Sequence, residues 1–222
     1  IAPDSVQVIT HHWYSMDSMD NTDNRNAPME LDTRLLENRK VWLSGEVNTG
    51  TAHDVASMML LLHEEHSDEP ITFLINSPGG SITDGCCMLD MCRMVADSTP
   101  IITLGLGMCA SMGQIMLTCA GTPGLRCITR GTRVLVHQPS SGVAGTESDI
   151  RTQSELILSM KRQLAEYTAS RTKLGVDAVL DLYERGDCWF TADDAVGMGL
   201  ADHIVDTEDD ISGIYEEWRN AR

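Results

Sequence analysis

Apolar residues along the chain fall into two patterns: short continuous runs, and stretches where they recur every three or four positions. Ile71-Thr72-Phe73-Leu74-Ile75 is continuous enough to predict a strand in a sheet covered on both faces. Val41-Trp42-Leu43, Ile101-Ile102-Thr103-Leu104 and His203-Ile204-Val205 predict further strands, and Cys127-Ile128-Thr129 with Arg133-Val134-Leu135-Val136 reads as a short hairpin-like pair. Between them, Val55, Met58, Met59 and Leu62 mark one helical face, opened by a capping box at Thr51-Ala52-His53-Asp54. His63 and His66 fall past that face and are expected in solvent. The glycine-rich run Asn76-Ser77-Pro78-Gly79-Gly80-Ser81 predicts a turn, after which Ser81 and Asp84 cap a helix with Ile82, Cys86, Leu89 and Met94 inward.

Farther on, the nearly all-apolar run Gln114 to Ala120 predicts a buried helix that stops at Gly121. Thr146 with Asp149 opens a helix reaching about Leu174, with Ile150, Gln153, Ile157, Met160, Leu164 and Tyr167 on one face and Lys161, Arg162 and Glu166 on the polar one. That length exceeds the usual helix in a globular protein, so it is expected to project or to support a subunit contact. A second helix ends near Arg185, a short one starts at Thr191, and Ile211, Ile214, Tyr215 and Trp218 suggest a peripheral amphipathic turn. Strand–helix alternation argues for an α/β fold with right-handed crossovers. Residues 1–28 pack least: Val6 and Val8 alternate briefly, then Asp17 to Asn26 is polar, which suggests a short strand and a mobile loop ahead of a single domain at 29–222. Two adjacent histidines, His11 and His12, would point to opposite faces of an extended segment, a poor metal site.

Composition narrows the function classes. The formal charge is −17, and Asp202 to Glu217 alone holds seven acids, so no basic stripe is present to neutralise phosphates or to favour anionic membranes. No secretory pattern or membrane-length apolar window occurs. A start at Ile1 suggests trimming. The seven cysteines (86, 87, 92, 109, 119, 127 and 188) lie mostly in apolar runs without metal spacing, as expected for reduced thiols in a cytoplasmic or organelle-matrix compartment.

The chemistry centres on Gly107-Met108-Cys109-Ala110-Ser111-Met112-Gly113, small residues around one serine between a strand and a buried helix. Ser111 either caps that helix or exposes a hydroxyl at a helix N-terminus, where unpaired N–H groups favour a developing oxyanion. His137 ends an apolar strand before Gln138-Pro139, and Asp187 precedes Cys188-Trp189-Phe190, where a partly buried carboxylate could orient a histidine. A hydroxyl nucleophile needs such a base and such an acid. Gly79 and Gly80 add a candidate oxyanion donor beside the Met112 N–H. A structural His137 and a surface Asp187 remain open on these residues alone.

Asn76-Ser77-Pro78-Gly79-Gly80-Ser81, Ala110-Ser111-Met112-Gly113, His137-Gln138-Pro139 and Asp187-x-Trp189-x-Thr191-Ala192, in this order, resemble the ClpP family of serine peptidase subunits over about residues 29 to 206. The resemblance implies a ClpP/crotonase-like α/β spiral of β-β-α units with a protruding handle helix from about Asp149. It implies Ser111 as nucleophile, His137 as general base, Asp187 as orienting acid, and the Gly80 and Met112 backbone N–H groups as oxyanion hole. Gly79, Pro139, Ser140, Ser141 and Gly142 match the segments that hold an extended substrate as an added strand. Residues 1–28 match the axial segment loosely. Also implied are heptameric rings joined into a tetradecamer, unfolded polypeptides as substrates, an ATP-driven AAA+ unfoldase as partner, and no metal or other cofactor in this subunit.

Three departures stand out. Gly186 separates Arg185 from Asp187, where the family usually has the arginine directly before the aspartate. Two extra residues lie between Val95 and Leu104, and Thr72 and Leu74 stand where many relatives carry aromatics in the unfoldase-docking cleft. Two rival functions accompany this one: a non-catalytic ring subunit, and a crotonase-like acyl-CoA enzyme, which would need cationic contacts that this neighbourhood lacks.

Overall fold

The structure, a computed structural model, describes residues 27–140 and 142–222. The expected elements and histidine pair within residues 1–26, the axial segment as far as residue 26, and Ser141 lie outside the described residues. Helix α1 (Ala27–Glu37) leads into strand β1 (Lys40–Val47). The next helix, α2 (Thr49–Glu65), is capped one turn earlier than the sequence suggests. Asn48 Oδ1 accepts from the N–H groups of Gly50 and Thr51, and Thr51 Oγ1 accepts from the Asn48 N–H. His63, expected in solvent, instead pairs its Nδ1 with Thr99 Oγ1 at 2.7 Å, and the Thr99 hydroxyl donates onward to the Ser67 carbonyl.

Strands β2 (Ile71–Gly80), β3 (Ile101–Ala110), β4 (Arg126–Thr129) and β7 (His203–Val205) complete a parallel order β1-β2-β3-β4-β7. The Asn76–Ser81 turn is mostly strand: β2 continues to Gly80, which pairs with Val47. Along β3 the pairing jumps. From Ile75↔Gly105 to Ser77↔Cys109, β2 advances two residues while β3 advances four, a bulge with Gly107 at φ 66°. Before the bulge β3 pairs with β4; after it, with β5 (Arg133–Val136). The expected β4–β5 hairpin therefore does not form, because both strands lie parallel to successive parts of β3. Strand β6 (Cys188–Phe190) then pairs antiparallel with β5.

Alternation along β2 builds two cores. Phe73 and Ile75 face one side with Leu43, Met59 and Met88, while Leu74 faces the other with Ile102, Leu104 and Cys127. Helix α3 (Ile82–Val95) covers the first side. Its buried face is Gly85, Met88, Leu89, Cys92 and Val95; Met94, expected inward, is exposed, and Ile82 and Cys86 are half-buried, so the face is turned by part of a residue step. Beyond β3, α4 (Met112–Ile115) passes into a π-helical turn, Met116–Ala120, that is wholly buried. The chain then runs through α5 (Glu147–Arg171), α6 (Val176–Glu184), α7 (Ala192–Met198) and α8 (Glu208–Asn220). Instead of a terminal turn, α8 is a full helix capped by Thr207. Its Ile211, Ile214, Tyr215 and Trp218 cover the second core, and Trp218 Nε1 donates to the Pro123 carbonyl at 3.1 Å.

Helix α5 has 25 residues and ends three short of the expected Leu174. Only Leu164, Ala165 and Thr168 on it are buried, whereas Ile150, Leu156 and Leu158 are exposed. Most of its length therefore projects from the domain with apolar side chains uncovered. Among the described residues, no helix is long and apolar enough to cross a membrane.

Candidate active site

Strand β3 delivers Ser111 to a turn that an L-residue enters only under strain. Its φ is 54° and ψ −120°, and among the described residues Arg39 is the only other non-glycine with positive φ. Ser111 occupies the N-cap position of α4, yet its hydroxyl makes no capping hydrogen bond. The capping role open to it in the sequence is thus unused. Its backbone does the fixing: the N–H donates to the Leu135 carbonyl at 3.1 Å, and its carbonyl accepts from the N–H groups of Gln114 and Ile115. The side chain is left presented, a strand-to-helix elbow.

Gly79 lets β2 pass directly beneath. A Cβ there would stand 2.5 Å from Ser111 Cβ and 2.9 Å from the Met112 nitrogen, and its φ of +92° also excludes most side chains. Ser77 braces this stretch: its hydroxyl donates to the Gly45 carbonyl at 2.6 Å and accepts from the Gly79 N–H at 3.1 Å. Gly80 lies against β1, where a Cβ would stand 2.3 Å from the Val47 carbonyl oxygen.

The β5–β6 ladder brings the other two predicted residues together. Val134 pairs with Phe190, Leu135 with Trp189 and Val136 with Cys188, so the next residues outward are His137 and Asp187. His137 Nδ1 lies 3.3 Å from Asp187 Oδ1. The sequence predicts a partly buried carboxylate; its side chain is instead 67% exposed, because β6 is an edge strand that begins only at Cys188. Since Leu135 holds the Ser111 N–H two residues before His137, one short strand positions both the serine and the imidazole.

Ser111, Met112, His137 and Pro139 line one pocket, completed by Gln114 and by the largely apolar Ile82, Ile115, Leu164 and Tyr183. Among the described residues, no hydrogen bond yet joins the Ser111 hydroxyl to His137. Met112 opens α4, so its N–H has no intrahelical acceptor. Ser140 and Gly142 lie exposed in the loop between β5 and α5, outside the pocket lining. Burial pushes the Cys109 thiol, two residues from Ser111, up to about 12, so it remains a protonated core group. Burial likewise pushes the Tyr183 phenol up to about 12.

Two supports escaped sequence reasoning. Ser77 sits in the glycine-rich motif, but nothing in its spacing marks a hydroxyl brace. Arg126 donates through Nη1 to the carbonyls of Thr118, Arg171 and Gly199, and through Nε and Nη2 to Asp202, tying the π-helical turn behind Ser111 to α5 and α7. Those partners are scattered along the chain, and only the fold assembles them.

Known proteins resemble this chain over most of its length. The family model described as Clp protease matches residues 23–208. The chain is 50% identical over 171 residues to ATP-dependent Clp protease proteolytic subunit 1 of Leifsonia xyli subsp. xyli, covering 77% of this chain and 85% of that protein. It is 46% identical over 171 residues to proteolytic subunit 2 of Tropheryma whipplei, covering 77% and 93%. It is 42% identical over 178 residues to proteolytic subunit 2 of Bifidobacterium longum, covering 80% and 84%.

Proposed function

The chain belongs to the Clp protease family, and from that premise we propose that Ser111, His137 and Asp187 are the triad of a serine endopeptidase that cleaves unfolded polypeptides. The reading rests on one arrangement above all. His137 presents Nδ1 to Asp187 at 3.3 Å while sharing a pocket with a serine hydroxyl that its own turn leaves unused. With Nδ1–H donating to the carboxylate, Nε2 carries the lone pair needed to take the Ser111 proton.

Ser111 Oγ then bonds to the scissile carbonyl carbon, and His137 receives the hydroxyl proton. Collapse of the tetrahedral adduct breaks the C–N bond, and His137 returns that proton to the departing amine. Water, deprotonated by the same imidazole, cleaves the acyl-enzyme and restores the serine. The oxyanion would be met by the Met112 N–H at the start of α4 and by the Gly80 N–H. Ser81, one residue after Gly80, donates to Val47 on β1, so strand alternation turns the Gly80 N–H toward the β3 side, where Ser111 lies. The apolar pocket wall suits an apolar side chain beside the cleaved bond. Gly79 and the Pro139–Gly142 run would hold the substrate as an added strand. No cofactor enters these steps; ATP would be consumed by a partner AAA+ unfoldase. Heptameric rings, paired through the projecting α5, would enclose the sites, with residues 1–28 as the axial segment of a single peptidase domain at 29–222.

A fluorophosphonate probe with peptide hydrolysis tests this. The probe is expected to label Ser111, and Ser111→Ala to lower kcat on the order of a million-fold with assembly intact. Comparable turnover by Ser111→Ala would overturn the assignment.

A further inference from the structure

The β5–β6 ladder stops one residue short of the site, at Val136–Cys188, so no pair within it holds His137 and Asp187 together. Each chain leaves the ladder into backbone outside any sheet pairing. After His137 comes an exposed loop; before Asp187 the chain swings through Gly186, at φ 90°, whose N–H makes a long 3.4 Å bond to the Tyr183 carbonyl. Asp187 itself is open to water, which competes for its oxygens. An edge ladder of three pairs frays most easily at such an end.

One side chain spans that open end. Lys161 Nζ donates to Gln138 Oε1 at 3.2 Å and to Glu184 Oε1. Gln138 directly follows His137, and Glu184 is the last residue of α6, three before Asp187. The Lys161 side chain is 16% exposed, low for a lysine, and an ammonium offers three donors, of which these two contacts use two. Its helix is a rigid post: Leu164, one turn along the same face of α5, is buried and lines the Ser111 pocket.

We propose that Lys161 is a positioning residue: by tying Gln138 to Glu184, it clamps the open end of the β5–β6 ladder and keeps Asp187 within reach of His137. The proposal rests on the peptidase reading above and adds a residue to it. The clamp touches no substrate and no reacting atom. Its effect therefore falls mainly on the chemical step, with a smaller one on substrate binding through Pro139, which follows Gln138.

The test uses the full-length assembled protein, with peptide hydrolysis and the rate of fluorophosphonate labelling at Ser111 as two readouts. Lys161→Met keeps most of the stem and removes the donors; it is expected to lower kcat and the labelling rate together by about 10-fold, with KM changed less than about two-fold. Lys161→Arg restores the donors and is expected to recover at least about half of both rates. Glu184→Gln, a change at an exposed side chain that leaves folding intact, is expected to lower kcat by about three-fold, and adding it to Lys161→Met to lower kcat no further. Unchanged kcat and labelling in Lys161→Met overturn the role, as does a loss that arginine does not recover or one that appears only in KM. Ser111→Ala and His137→Ala run alongside. If they too keep turnover, the peptidase reading has failed; if they lose it while Lys161→Met does not, only the clamp has.

Discussion

His137 and Asp187 are the first residues beyond the Val136–Cys188 pair, and their side chains meet at 3.3 Å. The ladder delivers both residues to its open end without help from the carboxylate, so the carboxylate can be altered without dismantling the site. Asp187→Asn is therefore expected to retain fold and assembly while kcat falls on the order of 10⁴-fold, because the amide no longer fixes the tautomer that leaves Nε2 unprotonated. Steady-state kinetics beside thermal unfolding checks this. A kcat within about 10-fold of wild type would mean the contact is ornamental.

Ser111 offers a second expectation, on stability. A side chain at φ 54° and ψ −120° stores strain on the order of 1–3 kcal/mol, and alanine inherits it while glycine does not. Both Ser111→Ala and Ser111→Gly are expected to abolish turnover. Glycine, after its extra unfolded-state entropy is subtracted, is expected to be more stable than alanine by about 1 kcal/mol. Matched thermal or denaturant unfolding of the two proteins measures the difference; an alanine variant more stable than the glycine one by about 1 kcal/mol would show that the turn is relaxed.

Much of this is legible in the sequence alone. Apolar runs and caps located the strands and most helices, and small residues around Ser111 announced a tight turn. What periodicity could not carry was partnership. Cys127–Thr129 and Arg133–Val136 look like a hairpin because they are close in sequence, but the bulge around Gly107 gives each its own stretch of β3. Asn76–Gly80 looks like a turn because Pro78, Gly79 and Gly80 weaken strand propensity, yet pairing with β1 overrides them. Residues whose value lies in reaching a distant carbonyl or carboxylate, Arg126 and Lys161 above all, leave no local signature.

Helix α5 should matter for assembly and little for the fold. Leu156 and Leu158 are 54% and 64% exposed, so Leu156→Glu with Leu158→Glu is expected to change monomer stability by less than about 0.5 kcal/mol for each site. If the helix joins two rings, the same double variant should halve the native mass and depress peptidase activity, both readable by native mass spectrometry with hydrolysis assays. An unaltered mass would remove α5 from the interface.

Asp202 carries the clearest pH dependence. Burial by itself would raise its pKa, but the Arg126 guanidinium, bonded and adjacent, and the N–H groups of Arg126 and Gly124 outweigh burial and hold the carboxyl below its ordinary value. A depressed native pKa means that the unfolded chain binds the proton first. The stabilisation is therefore complete above the unfolded-state value of about 4 and is lost as pH falls through the lower native one. Asp202→Asn leaves a largely buried arginine without its counter-charge, so near neutral pH it is expected to cost about 3 kcal/mol. Because the variant has no carboxyl to protonate there, its unfolding free energy should fall less steeply between about pH 4 and 2 than that of the native sequence. Denaturant titrations at several pH values give both quantities; parallel curves for the two proteins would show that Asp202 is not the group whose protonation loosens the Arg126 brace.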